Sequence, residues 1–158
     1  MKKITLLFIL FSTIAFAQSD RDLSDRTFGI YYGIERNIKK TPDFNPAEYY
    51  ANGKIKGIKD VVDFTEEQKA QLKKLFTDQY PVFYETAKKY YETKTAQSKV
   101  EIMKLLVKNE EDFRAVLTRE QLATYIGFKN GLRHDGYFPL KQNFIEEEKL
   151  VKFKKELQ

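Results

Sequence analysis

Residues 63–76, DFTEEQKAQLKKLF, carry the sharpest folding instruction in the chain, and residues 117–122, LTREQL, repeat it. In Thr65-Glu66-Glu67-Gln68 the threonine oxygen accepts the amide of Gln68 while the glutamine oxygen accepts the amide of Thr65. That reciprocal arrangement is a capping box, so a helix starts at Thr65. Leu72, Phe76, Phe83, Ala87 and Tyr90 then keep one face apolar as far as about Lys94. Pro81 falls inside this run and is expected to kink it, because its nitrogen donates no hydrogen bond. In the second stretch the Thr118/Gln121 box is joined by a hydrophobic staple of Leu117 against Leu122, and the helix it opens should end at Gly131.

The neighbouring segments follow from these two. Ser98 to Glu101 reads as a further S-x-x-E box, with Val100, Met103, Leu106, Val107, Phe113 and Leu117 at helical spacing behind it, so a helix is expected from near Ser98. Upstream, Pro42, Asn45-Pro46, Asn52-Gly53 and Gly57 break the pattern. Residues 41–63 therefore read as a connecting loop with at most one short helix after Asn45. Before the loop, Phe28, Tyr31, Tyr32, Ile34 and Ile38 recur at three, four and seven, which suggests an amphipathic helix weakened by Gly29 and Gly33. At the other end Leu140, Phe144, Ile145, Val151 and Phe153 suggest a final helix. No β-alternation survives beyond a few residues. The expected fold is all-α, with four to five amphipathic helices in an elongated or hairpin-like bundle.

Residues 1–17 read as a cleaved signal peptide: Lys2 and Lys3 are basic, Ile4 to Phe16 is mostly apolar, and Ala15 and Ala17 are the small residues a peptidase needs. The mature part would comprise residues 18–62, an N-terminal helix and loop, and residues 63–158, the helical unit, together one domain. The apolar run is shorter than the roughly 20 residues a membrane-spanning helix requires, and no comparable run follows, so no membrane span is expected in the mature form. The sequence contains no cysteine, so neither a lipid anchor on cysteine nor a disulfide framework is expected, and the core alone must hold the fold. The formal charge of +5 falls by two when Lys2 and Lys3 are removed, too mild and too mixed a balance for a nucleic-acid partner.

Two T-x-x-Q helix starts about 53 residues apart, with helices between them, resemble the Spy/CpxP family of small periplasmic proteins, whose hallmark is a paired L-T-x-x-Q motif in an all-helical chain. The stretches DFTEEQKAQLKKLF and NEEDFRAVLTREQLATYIGFK carry the resemblance, which covers roughly residues 63–131, with Phe64 where the motif has leucine. It implies an ATP-independent periplasmic chaperone, a homodimeric curved plate holding unfolded or stressed envelope proteins, with no cofactor. The alternative is a non-catalytic envelope-stress regulator or partner-binding protein, metal sensing being a lesser version.

The residues themselves add a candidate surface. On a helical wheel from Thr65, Lys73, Tyr80, Tyr84, Lys88 and Tyr91 flank the apolar stripe, and tyrosine area with lysine reach suits the holding of a client segment. The competing assignment is that these tyrosines cover the N-terminal helix or the 41–63 segment. Thr65, Gln68, Ser98, Glu101, Thr118 and Gln121 read as structural helix caps, not as a site. Catalysis finds little purchase: with no cysteine, a triad needs His134 and one of Ser19, Ser24 or Ser98, none in a nucleophile elbow. Glu110, Glu111, Asp112 and residues 146–148 read as solvated helix faces. A lone His134 beside Asp135 is one ligand where a closed zinc site takes four, so no metal is expected.

Overall fold

A computed structural model describes residues 29–59, 61–131, 145 and 147–158 of the chain. The signal-peptide reading, Ser19, Ser24, His134, Asp135 and the Leu140 to Phe144 start of the last predicted helix lie outside those residues. Six helices are described: α1 (Gly29–Lys40), α2 (Pro46–Ile58), α3 (Glu66–Thr93), α4 (Ala96–Arg114), α5 (Arg119–Gly131) and α6 (Glu147–Glu156). Among the described residues there is no strand, so the fold is all-α as predicted.

The long helix α3 is the wall on which the others are laid. Thr65 caps it, with both halves of the capping box formed, and Leu72, Phe76, Phe83, Ala87 and Tyr90 are all buried, the stripe predicted for them. It passes through Pro81 as one helix. Lys94 ends it in the left-handed region at φ 47°, donating its amide to the Tyr90 carbonyl at 2.8 Å, and Thr95 immediately caps α4 by accepting the Ser98 amide at 3.1 Å. A two-residue link forces α4 back along α3. Phe76 accordingly meets Phe113 with ring centroids 5.9 Å apart, and Lys89 reaches Glu101 at 2.6 Å.

The extent of one predicted helix and the start of another are corrected. The helix expected after Asn45 does start there, as α2, but it is thirteen residues long and fills most of the segment read as a loop: the Asn45 side chain accepts the Glu48 amide at 3.1 Å, and Pro46 occupies a first-turn position where a missing N–H costs nothing. This helix packs more extensively on α3 than any other does, with Tyr50 against Phe83 at 5.0 Å. The Ser98–Glu101 box also does not form. Thr95, three residues earlier, takes the capping position, and Ser98 lies buried inside the first turn with its hydroxyl against those of Thr93 and Thr95. Glu101 instead accepts from Lys89 and Gln97.

Val100 is exposed despite its place in the predicted stripe, and in α1 only Ile34 is fully buried while Tyr32 and Ile38 face solvent. The last helix returns along α4: Lys154 pairs with Glu111 at 2.6 Å, Glu147 pairs with Arg114 at 2.8 Å, and Leu150 and Phe153 are buried.

Two helix-interior glycines test the α1/α2 packing. A Cβ on Gly53 would meet nothing within 4 Å, so Gly53→Ala should stabilise the protein by roughly 0.5–1 kcal/mol through helix propensity. A Cβ on Gly33 would lie 3.3 Å from the Tyr49 hydroxyl, so Gly33→Ala should gain clearly less. Thermal melts of the two variants compare them, and equal gains would contradict the described packing.

Candidate functional site

The two T-x-x-Q motifs meet. The Gln68 Nε2 donates to the Gln121 Oε1 at 2.8 Å, and the Gln121 Nε2 donates back to the Gln68 Oε1 at 3.0 Å. Each amide has a second proton. That of Gln68 goes to the Val116 carbonyl at 3.1 Å and that of Gln121 to the Asp63 carbonyl at 2.6 Å. Val116 and Asp63 both stand two residues ahead of a capping threonine, so the two motifs are related by a local two-fold. Each Oε1 also accepts its own threonine's amide, at 3.2 Å from Thr65 and 2.9 Å from Thr118. Both side chains thus use every donor and both acceptor directions. Both form the predicted capping bonds, and their work extends from capping to clamping two helix starts together. Identical spacing in the two motifs was the only signal of this in the sequence.

A second polar group is sealed inside the bundle. Glu110 is 3% exposed and accepts from the Tyr125 hydroxyl at 2.8 Å, the Ile145 amide at 3.2 Å and the Arg114 Nε at 2.9 Å. It is not the solvated carboxylate its acidic run suggested, because the α4 phase turns it under α5 and α6. Burial works against charge on Arg114, but Glu147 and Glu110 outweigh it and push its pKa up. Lys54 from α2, 7% exposed, lies over the Tyr50 and Phe76 rings at 5.4 Å each. Burial lowers its pKa to about 8, with Glu110 opposing the shift. The group brings α2, α4, α5 and α6 together at one point. Ser98, the sole described serine of the hypothetical triad, is equally enclosed.

The predicted client flank of α3 is covered. Tyr80, Tyr84 and Tyr91 are half-buried, and what covers them is α1 and α2. The Tyr31 ring stacks on Tyr91 at 5.3 Å and tilts against Tyr84 at 5.7 Å, while Tyr80 meets Tyr50 at 6.1 Å. The Tyr84 hydroxyl donates to the Glu35 carboxylate. That bond, before burial, pushes the Tyr84 pKa up, and it is the largest cause of the lowered Glu35 pKa. Lys88 is half-buried and its charge also favours ionised Glu35. Lys73 is exposed and paired with Glu48 of α2 at 3.5 Å. The expectation of an uncovered tyrosine–lysine surface is therefore corrected: the competing assignment, tyrosines beneath the N-terminal helix and the 41–63 segment, is the one observed.

An open hollow of about 370 Å³ lies beside this cover, lined by Ile30, Tyr49, Tyr50, Asn52, Gly53 and Lys56 among others. Among the described residues no group of three or more His, Cys, Asp or Glu could hold a metal ion, and no helix is long and apolar enough to cross a membrane.

Thr118→Ala should cost about 1 kcal/mol, read as a lowered melting temperature. The Gln68→Ala, Gln121→Ala double-mutant cycle should return a coupling of about 1–2 kcal/mol, whereas two independent caps would be additive. The buried lysine gives a pH signature. Between about pH 8 and 9 the unfolded chain keeps a proton on Lys54 that the folded chain has released, so stability should rise with pH in that window and be flat just below it; above it Tyr31, Tyr50, Tyr80 and Tyr84, whose pKa values the fold raises, ionise first in the unfolded chain and pull stability back down. Urea unfolding across the window should give that slope, and Lys54→Met should abolish it.

Compared with family models, with curated proteins and with solved structures, the chain matches none.

Proposed function

We propose that the chain is a non-catalytic, ATP-independent polypeptide-holding protein of the periplasm, of the kind its paired T-x-x-Q motifs resemble. One observation supports this above the others: the tyrosine and lysine flank of α3 carries a short amphipathic helix of the same chain, so its chemistry is already suited to holding a polypeptide segment. Stacked tyrosine rings give contact area with little side-chain entropy to lose, and the polar rim allows release. A holding protein needs apolar surface beside charge and no reacting group. For the flank to serve, α1 must yield it.

The alternative is a dedicated regulator or binder of one envelope partner. The cover itself favours it, since a surface closed at rest suits a specific trigger better than broad capture. Aggregation of several unrelated chemically denatured proteins, followed by light scattering without ATP, separates the two. A holding protein should suppress aggregation of most of them at near-stoichiometric amounts. Protection of none would overturn the proposal and leave the dedicated binder.

A further inference from the structure

We infer that the α3 flank formed by Tyr80, Tyr84, Lys88 and Tyr91 is a docking groove for a short partner helix that presents an aromatic residue, an aliphatic residue three positions on and a carboxylate four positions on. The inference deepens the holding reading above by naming the class of segment held. Its ground is the resident occupant: α1 supplies Tyr31, Ile34 and Glu35 at that spacing, which places all three on one face of a helix. Tyr31 lies on the Tyr84 and Tyr91 rings, Ile34 is 0% exposed, and Glu35 accepts from the Tyr84 hydroxyl while pairing with Lys39 of its own helix at 3.5 Å. The flank thus offers two distinguishable subsites, a tyrosine stack and the Tyr84 hydroxyl that takes a carboxylate, with Ile34 buried alongside them.

The occupant is held lightly. Ile34 is the single fully buried side chain of α1, Ile30 and Tyr31 being only partly buried, Gly33 weakens the helix, and a twelve-residue helix is marginal without its packing. Tyr32 and Ile38 remain exposed on its outer side. By contrast α2 buries Tyr50, Ala51, Lys54, Gly57 and Ile58 and is fixed to the bundle. An exchange at the groove therefore displaces α1 and leaves α2 in place. A segment offering the same triad of side chains competes with α1 directly, and its apparent affinity falls by the fraction of time α1 vacates the flank.

The cysteine- and tryptophan-free full chain suits a direct test. The probe is a fluorescein-labelled peptide of residues 29–40, GIYYGIERNIKK, titrated against the full chain and followed by anisotropy. The double variant Ile34→Ala, Glu35→Ala loosens the resident helix and should bind the probe about tenfold more tightly than the unaltered chain. Replacing the probe's Tyr31 or Glu35 by alanine should weaken that binding about fivefold or more. A folded double variant that binds no better than the unaltered chain, or binds a scrambled probe equally well, would overturn the inference.

If the double variant does not fold, Tyr84→Phe in the otherwise unaltered chain replaces it. Amide exchange should accelerate in α1 and stay unchanged in α4, and unaccelerated α1 exchange would equally overturn the groove. Probe binding and aggregation suppression are separate readouts. Loss of suppression with binding intact removes the holding activity alone, and the reverse removes the groove alone.

Discussion

Two primary amides, those of Gln68 and Gln121, hold the start of α3 against the start of α5. Their mutual hydrogen bonds, with one further bond each to the opposite pre-helix carbonyl, join segments 48 to 58 residues apart. A single neutral hydrogen bond contributes only about 1 kcal/mol net, but this set is cyclic and leaves no amide group unpaired, so losing either side chain strands partners on the other. Once the two starts are fixed, the α3–α4 hairpin must turn where it does, because α4 has to carry the chain from Thr95 back to Val116.

That hairpin sets the position of everything else. The face of α3 turned to α4 supplies the Phe76–Phe113 contact, and α2 closes over the stripe beside it through Tyr50. The turn of α4 that buries Phe113 also buries Glu110. A lone carboxylate at that depth would be prohibitive, and Arg114, Tyr125 and the Ile145 amide surround it instead. The ionic group resembles a rivet in its effect: four helices converge on it, with Glu110 buried at its centre and Glu147 at its partly exposed edge.

The capping boxes at Thr65 and Thr118 and the Leu72-to-Tyr90 stripe were legible in the sequence because both are local, written at fixed spacing along one helix. Ser98 was misread because Thr95 offers an equally good cap three residues earlier, and the left-handed Lys94 leaves room for only one of them. Asn45-Pro46 marks a short helix start in the sequence but not its thirteen-residue extent, which depends on whether the following turns find a wall to pack on. The burial of Glu110 and Lys54 and the cover over Tyr80, Tyr84 and Tyr91 were not legible. Each depends on which element lies opposite, and a charged or half-polar residue carries no periodic mark of that.

The tyrosine stack between α1 and α3 has an optical corollary. With no tryptophan in the chain, native ultraviolet emission comes from ten tyrosines alone. A phenol whose hydroxyl is engaged by a carboxylate, as Tyr84 is by Glu35, emits weakly, and ring-on-ring contact of Tyr31 with Tyr91 adds an asymmetric near-ultraviolet dichroism. Departure of the N-terminal helix would brighten the first signal and erase part of the second, so the molecule carries its own unlabelled gauge of whether that helix is seated.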